Sequence, residues 1–140
     1  MAIASHLVDK SAWARLSHAA VNARLFPLID AGLVATCAVI ELELRYSARH
    51  HDEFDLMSRE RDVGFERLAM PDEVWDRALA VQDQLSARGQ LRAVGIPDLL
   101  IAATAERHGV ELLHYHRDFD LIAAITGQHT EWVVASGSVP

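Results

Sequence analysis

Four acids stand where this chain has least reason to place a charge. Asp9 closes the apolar run His6-Leu7-Val8, and Glu43 lies inside Ala38-Val39-Ile40-Glu41-Leu42-Glu43-Leu44. Asp98 opens an almost wholly apolar stretch that runs to Ala105, and Asp118 follows the run Val110-Glu111-Leu112-Leu113. Carboxylates beside core-forming segments are costly unless something binds them. Four that converge make a hard oxygen donor set, which suits Mg2+ or Mn2+ and points to phosphoryl chemistry. Two carboxylates about 5 Å apart repel by about 3 kcal/mol at an effective dielectric of about 20. Several such pairs approach the whole stability of a domain, about 5–15 kcal/mol. A tight cluster therefore needs a cation, raised pKa values or wider spacing.

Each acid can be weighed against its neighbours. Asp9 can cap a helix at a strand-to-helix turn, or act as a ligand whose rotamer is held by the Ser11 hydroxyl. On a helix with about 100° between residues, Glu41 shares a face with Arg45 and Ala48, so a solvated ion pair four residues apart accounts for it. Glu43 falls on the side of Val39 and Ile40 and has no local partner, so it is the better ligand. Asp98, in the first turn after Pro97, is favoured by the helix dipole, yet it projects with Ile101, Ala102 and Ala105 towards the protein or a cleft. Of Asp118 and Asp120, Asp118 is nearer the strand end and makes the better ligand, while the helix dipole explains Asp120.

The elements that must position these acids alternate. Strands are expected at 6–9, 33–37, 65–68, 110–115 and 131–135. Helices are expected at 12–16 (capped by Ser11), 19–31 (kinked or restarted by Pro27), 38–49, 52–63, 71–88, 97–108 and 118–125. Alternating strands and helices imply a parallel sheet with right-handed crossovers, whose ligands bind beyond the carboxyl ends of the strands. Asp9 and Asp118 lie just past such ends.

The chain has 140 residues, without repeats, low-complexity segments or an interdomain linker, and reads as one domain over 1–140. A hydrophobic fraction of 51% with 24% charged residues argues against disorder. No apolar run is long enough for a membrane span, the N-terminus lacks signal-peptide character, and a single cysteine, Cys37, fits a reducing compartment; a cytoplasmic location is expected. The net charge of −7 excludes nucleic-acid binding through the whole-body field, so either the substrate is not a nucleic acid, or part of the charge sits in a metal site that a cation neutralises and local arginines steer the phosphate. The eight histidines form no zinc framework, and phosphate-binding glycine loops and acyl-transfer motifs are missing.

These residues resemble the PIN-domain ribonucleases, and among them the VapC toxins of bacterial toxin–antitoxin pairs. The matching pieces are Leu7-Val8-Asp9-Lys10-Ser11-Ala12, Glu43-Leu44-Arg45-Tyr46-Ser47-Ala48-Arg49, Pro97-Asp98-Leu99-Leu100-Ile101-Ala102-Ala103-Thr104-Ala105 and Arg117-Asp118-Phe119-Asp120, in the family's order. The resemblance implies an α/β, PIN-like domain with a central, mostly parallel, twisted sheet of four to five strands flanked by about seven helices. It implies a Mg2+- or Mn2+-dependent endoribonuclease that is inhibited by a cognate antitoxin and forms a homodimer. Asp9, Glu43, Asp98 and Asp118 match the family's acidic quartet, as catalytic residues and metal ligands, with Ser11 and His116 in support. Many relatives carry an acid at the position of His116. Histidine there could shift the fourth ligand wholly onto Asp118, weaken a second metal site or add a general acid.

On that reading Arg45, Arg49, Arg92 and Arg117 are candidates for holding RNA phosphates, and Tyr46 or Tyr115 for stacking a base. A structured RNA with a single-stranded loop is the expected substrate. A phosphorylated signalling receiver would need a lysine late in the chain, and none follows Lys10. The remaining rival is a catalytically silent binding protein that keeps the fold.

Overall fold

The computed structural model describes residues 2–140. In chain order its elements are β1 (His6–Val8), α1 (Lys10–Trp13), α2 (Ala19–Asp30), β2 (Val34–Thr36), α3 (Ala38–Arg45), α4 (His51–Gly64), β3 (Glu66–Arg67), α5 (Asp72–Ala87), α6 (Ile96–His108), β4 (Glu111–His114), α7 (Asp118–Thr126) and β5 (Thr130–Trp132). The five strands form one sheet in the order β3-β2-β1-β4-β5, and every pairing is parallel. The expected α/β architecture is what the chain adopts.

Alternation along the strands sorts side chains between two helical layers. Leu7, Ala35 and Leu112 face one core with Ile40 of α3, Val81 and Leu85 of α5, Ile101 of α6 and Phe119 of α7. Val8, Val34 and Leu113 face the other, closed by Ala12 of α1 and by Val21 and Leu25 of α2. A sheet buried on both faces needs apolar residues at consecutive positions, and that is why these runs are unbroken.

The strand order reverses between β1 and β4. From β1 the chain winds outward through β2 and β3, then returns to β4 on the other side of β1 and continues to β5. Helices leaving β1 and β4 depart to opposite sides there, which opens a crevice beyond the carboxyl ends of these two strands. Asp9 follows β1 directly, and His116 and Asp118 follow β4. At the opposite pole of the sheet lies a cavity of about 450 Å3, lined by Ser5, His6, Glu111 and His129 among others.

Helix α6 drives one wall of the crevice. Leu99 through Ala105 are all buried, Pro97 occupies its first turn and Gly109 ends it at φ 65°. The small alanines let it lie close to the sheet, and its first turn carries Asp98 to the crevice.

Several boundaries differ from those expected. Helix α1 begins at Lys10 with Asp9 as its N-cap, not Ser11. Helix α3 stops at Arg45 instead of Arg49, because Ser47 Oγ donates to Leu44 O at 2.6 Å and breaks the ladder there. His50 then caps α4 through Nδ1, which accepts from Glu53 N at 3.2 Å. Helix α2 runs unbroken past Pro27, which is exposed, so water can replace the missing bond. Cys37 is fully buried between β2 and α3, and burial pushes its thiol up to about 11. No helix of the described residues is long and apolar enough to cross a membrane.

Candidate active site

Asp9 divides its carboxylate between two tasks. Oδ2 accepts from Ser11 N at 2.9 Å and from Ser11 Oγ at 2.6 Å, which caps α1 and fixes the rotamer. The Ser11 hydroxyl in turn accepts from Tyr115 N at 2.8 Å, so the turn after β1 is tied to the turn after β4. Oδ1 is buried and has no hydrogen-bond partner among the described residues, and the residue as a whole is only 4% exposed. A buried carboxylate oxygen left unpaired is expensive, and it marks where a ligand would be bound.

A cavity of about 330 Å3 gathers the rest. Asp9, Glu43, Asp98 and His116 line it, together with Lys10 and Arg15. Glu43 arrives from α3 and is half-buried; its Oε1 is a second buried oxygen with no partner. Burial, and then the charge of Asp9, raise the Glu43 carboxyl above its usual range, against the opposing pull of Lys10. Asp118 is buried and accepts from the backbone N–H of Gly95 at 3.1 Å. His116 Nδ1 stands 3.3 Å from Asp98 Oδ2 and 3.5 Å from Asp118 Oδ2. One donor atom from each of Asp98, His116 and Asp118 falls within 4.8 Å of the others. Three segments thus line the cavity with acids, and Asp118 adjoins it through Asp98 and His116.

The electrostatics are those of acids in search of a cation. Burial, a hydrogen bond with Asp118 and the charges of Asp9, Asp118 and Glu43 push the Asp98 carboxyl up to about 8. Two unpaired buried oxygens, one carboxyl held protonated and an imidazole at ligand spacing suit a divalent metal site. A pH dependence follows. The folded protein keeps the Asp98 proton up to about 8, whereas an unfolded aspartate loses it near about 3.9. Between those values the folded state binds more protons, so stability falls as pH rises. Without divalent ions the melting temperature is expected to drop by several degrees from about pH 5 to about pH 8. Millimolar Mg2+ or Mn2+ at the upper pH is expected to restore it. Scanning calorimetry in the presence and absence of chelator checks this, and a profile indifferent to both pH and cation would contradict it.

The other acid of α3 is not solvated, contrary to expectation. Glu41 is 4% exposed and does pair with Arg45, at 3.0 Å, but it also accepts from Thr36 Oγ1 at 2.5 Å and from Arg61 Nε at 2.8 and 2.9 Å. Burial pushes its carboxyl up, but the Thr36 hydroxyl and the two guanidiniums outweigh burial and hold it below the usual range. Glu41 is an internal anchor tying α3 to β2 and α4.

That anchor removes one arginine from the expected phosphate-holding set. Arg45 is spent on Glu41 and on Asp62, the latter at 2.8 Å, and lies away from the acid cavity. Arg49 pairs with Glu53 at 3.0 Å but its side chain is largely exposed. Arg92 and Arg117 are exposed. Tyr115 is buried, with its hydroxyl donating to Val139 O at 2.8 Å and the Arg15 guanidinium 4.3 Å above its ring, so no base can stack on it. Tyr46 is 90% exposed. Lys10 and Arg15, which line the cavity, were not expected in the site. The available signal was that the chain's sole lysine directly follows Asp9.

Comparison with known proteins gives a consistent picture. Residues 6–125 match the PIN domain family. The chain is 46% identical over 133 residues to Ribonuclease VapC21 of Mycobacterium tuberculosis, spanning 95% of this chain and 96% of the relative. Among solved structures, it is similar to the DNA-bound VapBC of Salmonella typhimurium, with a TM-score of 0.76 at 15% identity over 94% of this chain and 100% of that one. It is also similar to a toxin–antitoxin complex from Klebsiella pneumoniae, with a TM-score of 0.69 at 20% identity over 93% and 98% of the two chains. At those identities the structural likeness speaks for the fold.

Proposed function

Because the chain belongs to the PIN domain family and to its VapC ribonucleases, we propose that it is a metal-dependent endoribonuclease, the toxin of a toxin–antitoxin pair, with residues 1–140 working as one unit. The observation that supports this most is the convergence of Asp9, Glu43 and Asp98 on one cavity where two carboxylate oxygens are buried and unpaired. Asp9, Glu43, Asp98 and Asp118 hold the cation, which we assign as Mg2+ or Mn2+ from the oxygen-rich donor set. When bound, such a cation supplies an activated water and charge compensation at the phosphate.

The chain's own residues do the remaining work. Ser11 holds Asp9 in its ligand rotamer. Glu43 Oε1, buried and unpaired among the described residues, would give the cation its third acidic segment, and the cation would in turn offset the burial and the Asp9 charge that raise its proton affinity. Lys10, in the same cavity, draws the scissile phosphate towards the acids, which a chain of net charge −7 cannot do through its overall field. Arg49, Arg92 and Arg117 hold flanking phosphates of a structured RNA with an unpaired loop. In-line attack leaves a 5′-phosphate and a 3′-hydroxyl. The cognate antitoxin silences the site, the toxin pairs with a second copy of itself, and both act in the cytoplasm.

Incubating the purified protein with total RNA tests this reading. Cleavage is expected with Mn2+ or Mg2+, with 5′-phosphate ends by end mapping, and is expected to vanish with chelator and on adding the antitoxin. The rival, a silent binding protein, predicts intact RNA under every condition. Cleavage that persists undiminished in chelator would defeat the metal assignment.

A further inference from the structure

His116 breaks the all-oxygen character of the donor set. It sits in the turn between β4 and α7 with its side chain 49% exposed, and its Nδ1 is 3.3 Å from Asp98 Oδ2 and 3.5 Å from Asp118 Oδ2. Adjacent ligands of one six-coordinate ion lie about 3 Å apart. The three donor atoms therefore have nearly the spacing that a single ion would impose. The cavity that His116 lines also receives Asp9, whose Oδ1 is buried without a partner, so the ring faces a place already short of a cation. The neighbouring His114 cannot substitute. It is fully buried against Phe119 and Trp132, and its Nδ1 already accepts the His116 backbone N–H at 3.2 Å.

We infer that His116 coordinates the cation directly through Nδ1 and shifts the site's preference from Mg2+ towards first-row transition ions. The inference rests on the metal-dependent reading above. Mg2+ takes carboxylates and water and keeps its hydration tightly, while transition ions accept imidazole nitrogen. With the proton on Nε2, which can face solvent, the Nδ1 lone pair is free for the ion. An acid at this position would supply oxygen and one more negative charge, and so favour Mg2+.

The test uses the whole protein, with Mn2+ as a spectroscopic probe and Mg2+ as competitor. Electron spin-echo modulation of bound Mn2+ is expected to show imidazole nitrogen coupling in the wild type and none in His116→Asp. Calorimetric titration is expected to give a Mn2+-to-Mg2+ affinity ratio about tenfold lower in His116→Asp, with His116→Asn weakening both ions. Because the side chain is half exposed, both variants should fold. Wild type that binds Mn2+ without nitrogen coupling, or coupling that survives in His116→Asp, would overturn the ligand role while leaving the metal site standing. Wild type that takes up neither ion would bring down the metal-dependent reading as well.

Discussion

Asp98→Asn is expected to slow RNA cleavage by about 10²–10³-fold or more while raising the melting temperature of the metal-free protein. The two effects share one cause. Asp98 lies among Asp9, Glu43 and Asp118, and burial together with those neighbours pushes its carboxyl up to about 8. Above that pH the charge is held at a cost unless a cation offsets it. Asparagine keeps the shape and removes the charge, so the cluster relaxes, yet the cation loses a ligand. Initial rates at saturating Mn2+, beside calorimetry in chelator at about pH 8, measure both. A variant that cleaves like wild type would take Asp98 out of the site. A variant that loses activity and also melts earlier in chelator would point to damaged packing instead.

Arg61→Ala is expected to cost about 3–5 kcal/mol, which for a chain of this size lowers the melting temperature by roughly 10–15 °C. Arg61 Nε bonds both oxygens of Glu41, and the two side chains are 11% and 5% exposed. Its guanidinium lies 4.9 Å from the Trp13 ring and 4.5 Å from the Phe65 ring, which themselves meet edge-on at 5.3 Å. Removing the arginine leaves the buried Glu41 carboxylate to Arg45 and Thr36 alone and opens a gap between two aromatic rings. The compensating pair Glu41→Leu with Arg61→Met is expected to recover most of the loss, since an apolar replacement leaves no charge unpaired. Chemical denaturation of the wild type and of both variants gives the numbers. A loss below about 1 kcal/mol for Arg61→Ala would mean that the pair behaves like a surface bridge.

The parallel sheet could be read from the sequence because its signal is local. Leu7-Val8, Val34-Ala35 and Leu112-Leu113 are each apolar at consecutive positions, as strands covered on both faces must be. The distinction between Glu41 and Glu43 was also local, set by helical phase. What Glu41 does was hidden, because Thr36 sits on the preceding strand and Arg61 is 20 residues away. A partner that far off leaves no trace in the i, i+4 pattern, and Arg45 looked sufficient. The same long-range pairing withdrew Arg45 from the phosphate-holding group. Element ends depart from the expected positions where a side chain competes with the backbone, at Ser47 for α3 and at Asp9 for α1. The place of Lys10 in the cavity depends on cleft shape, which is a property of packing between segments and not of any one of them.

The buried thiol of Cys37 makes the molecule simple to instrument. With its sulfur enclosed and its proton held to about 11, it should ignore maleimides at neutral pH. A cysteine introduced at the exposed His129, on the pole of the sheet far from the acids, would then be the only handle for a dye or a surface linker. Molecules tethered there would present their acidic mouth outward to bulk RNA, so single-turnover events could be watched one protein at a time.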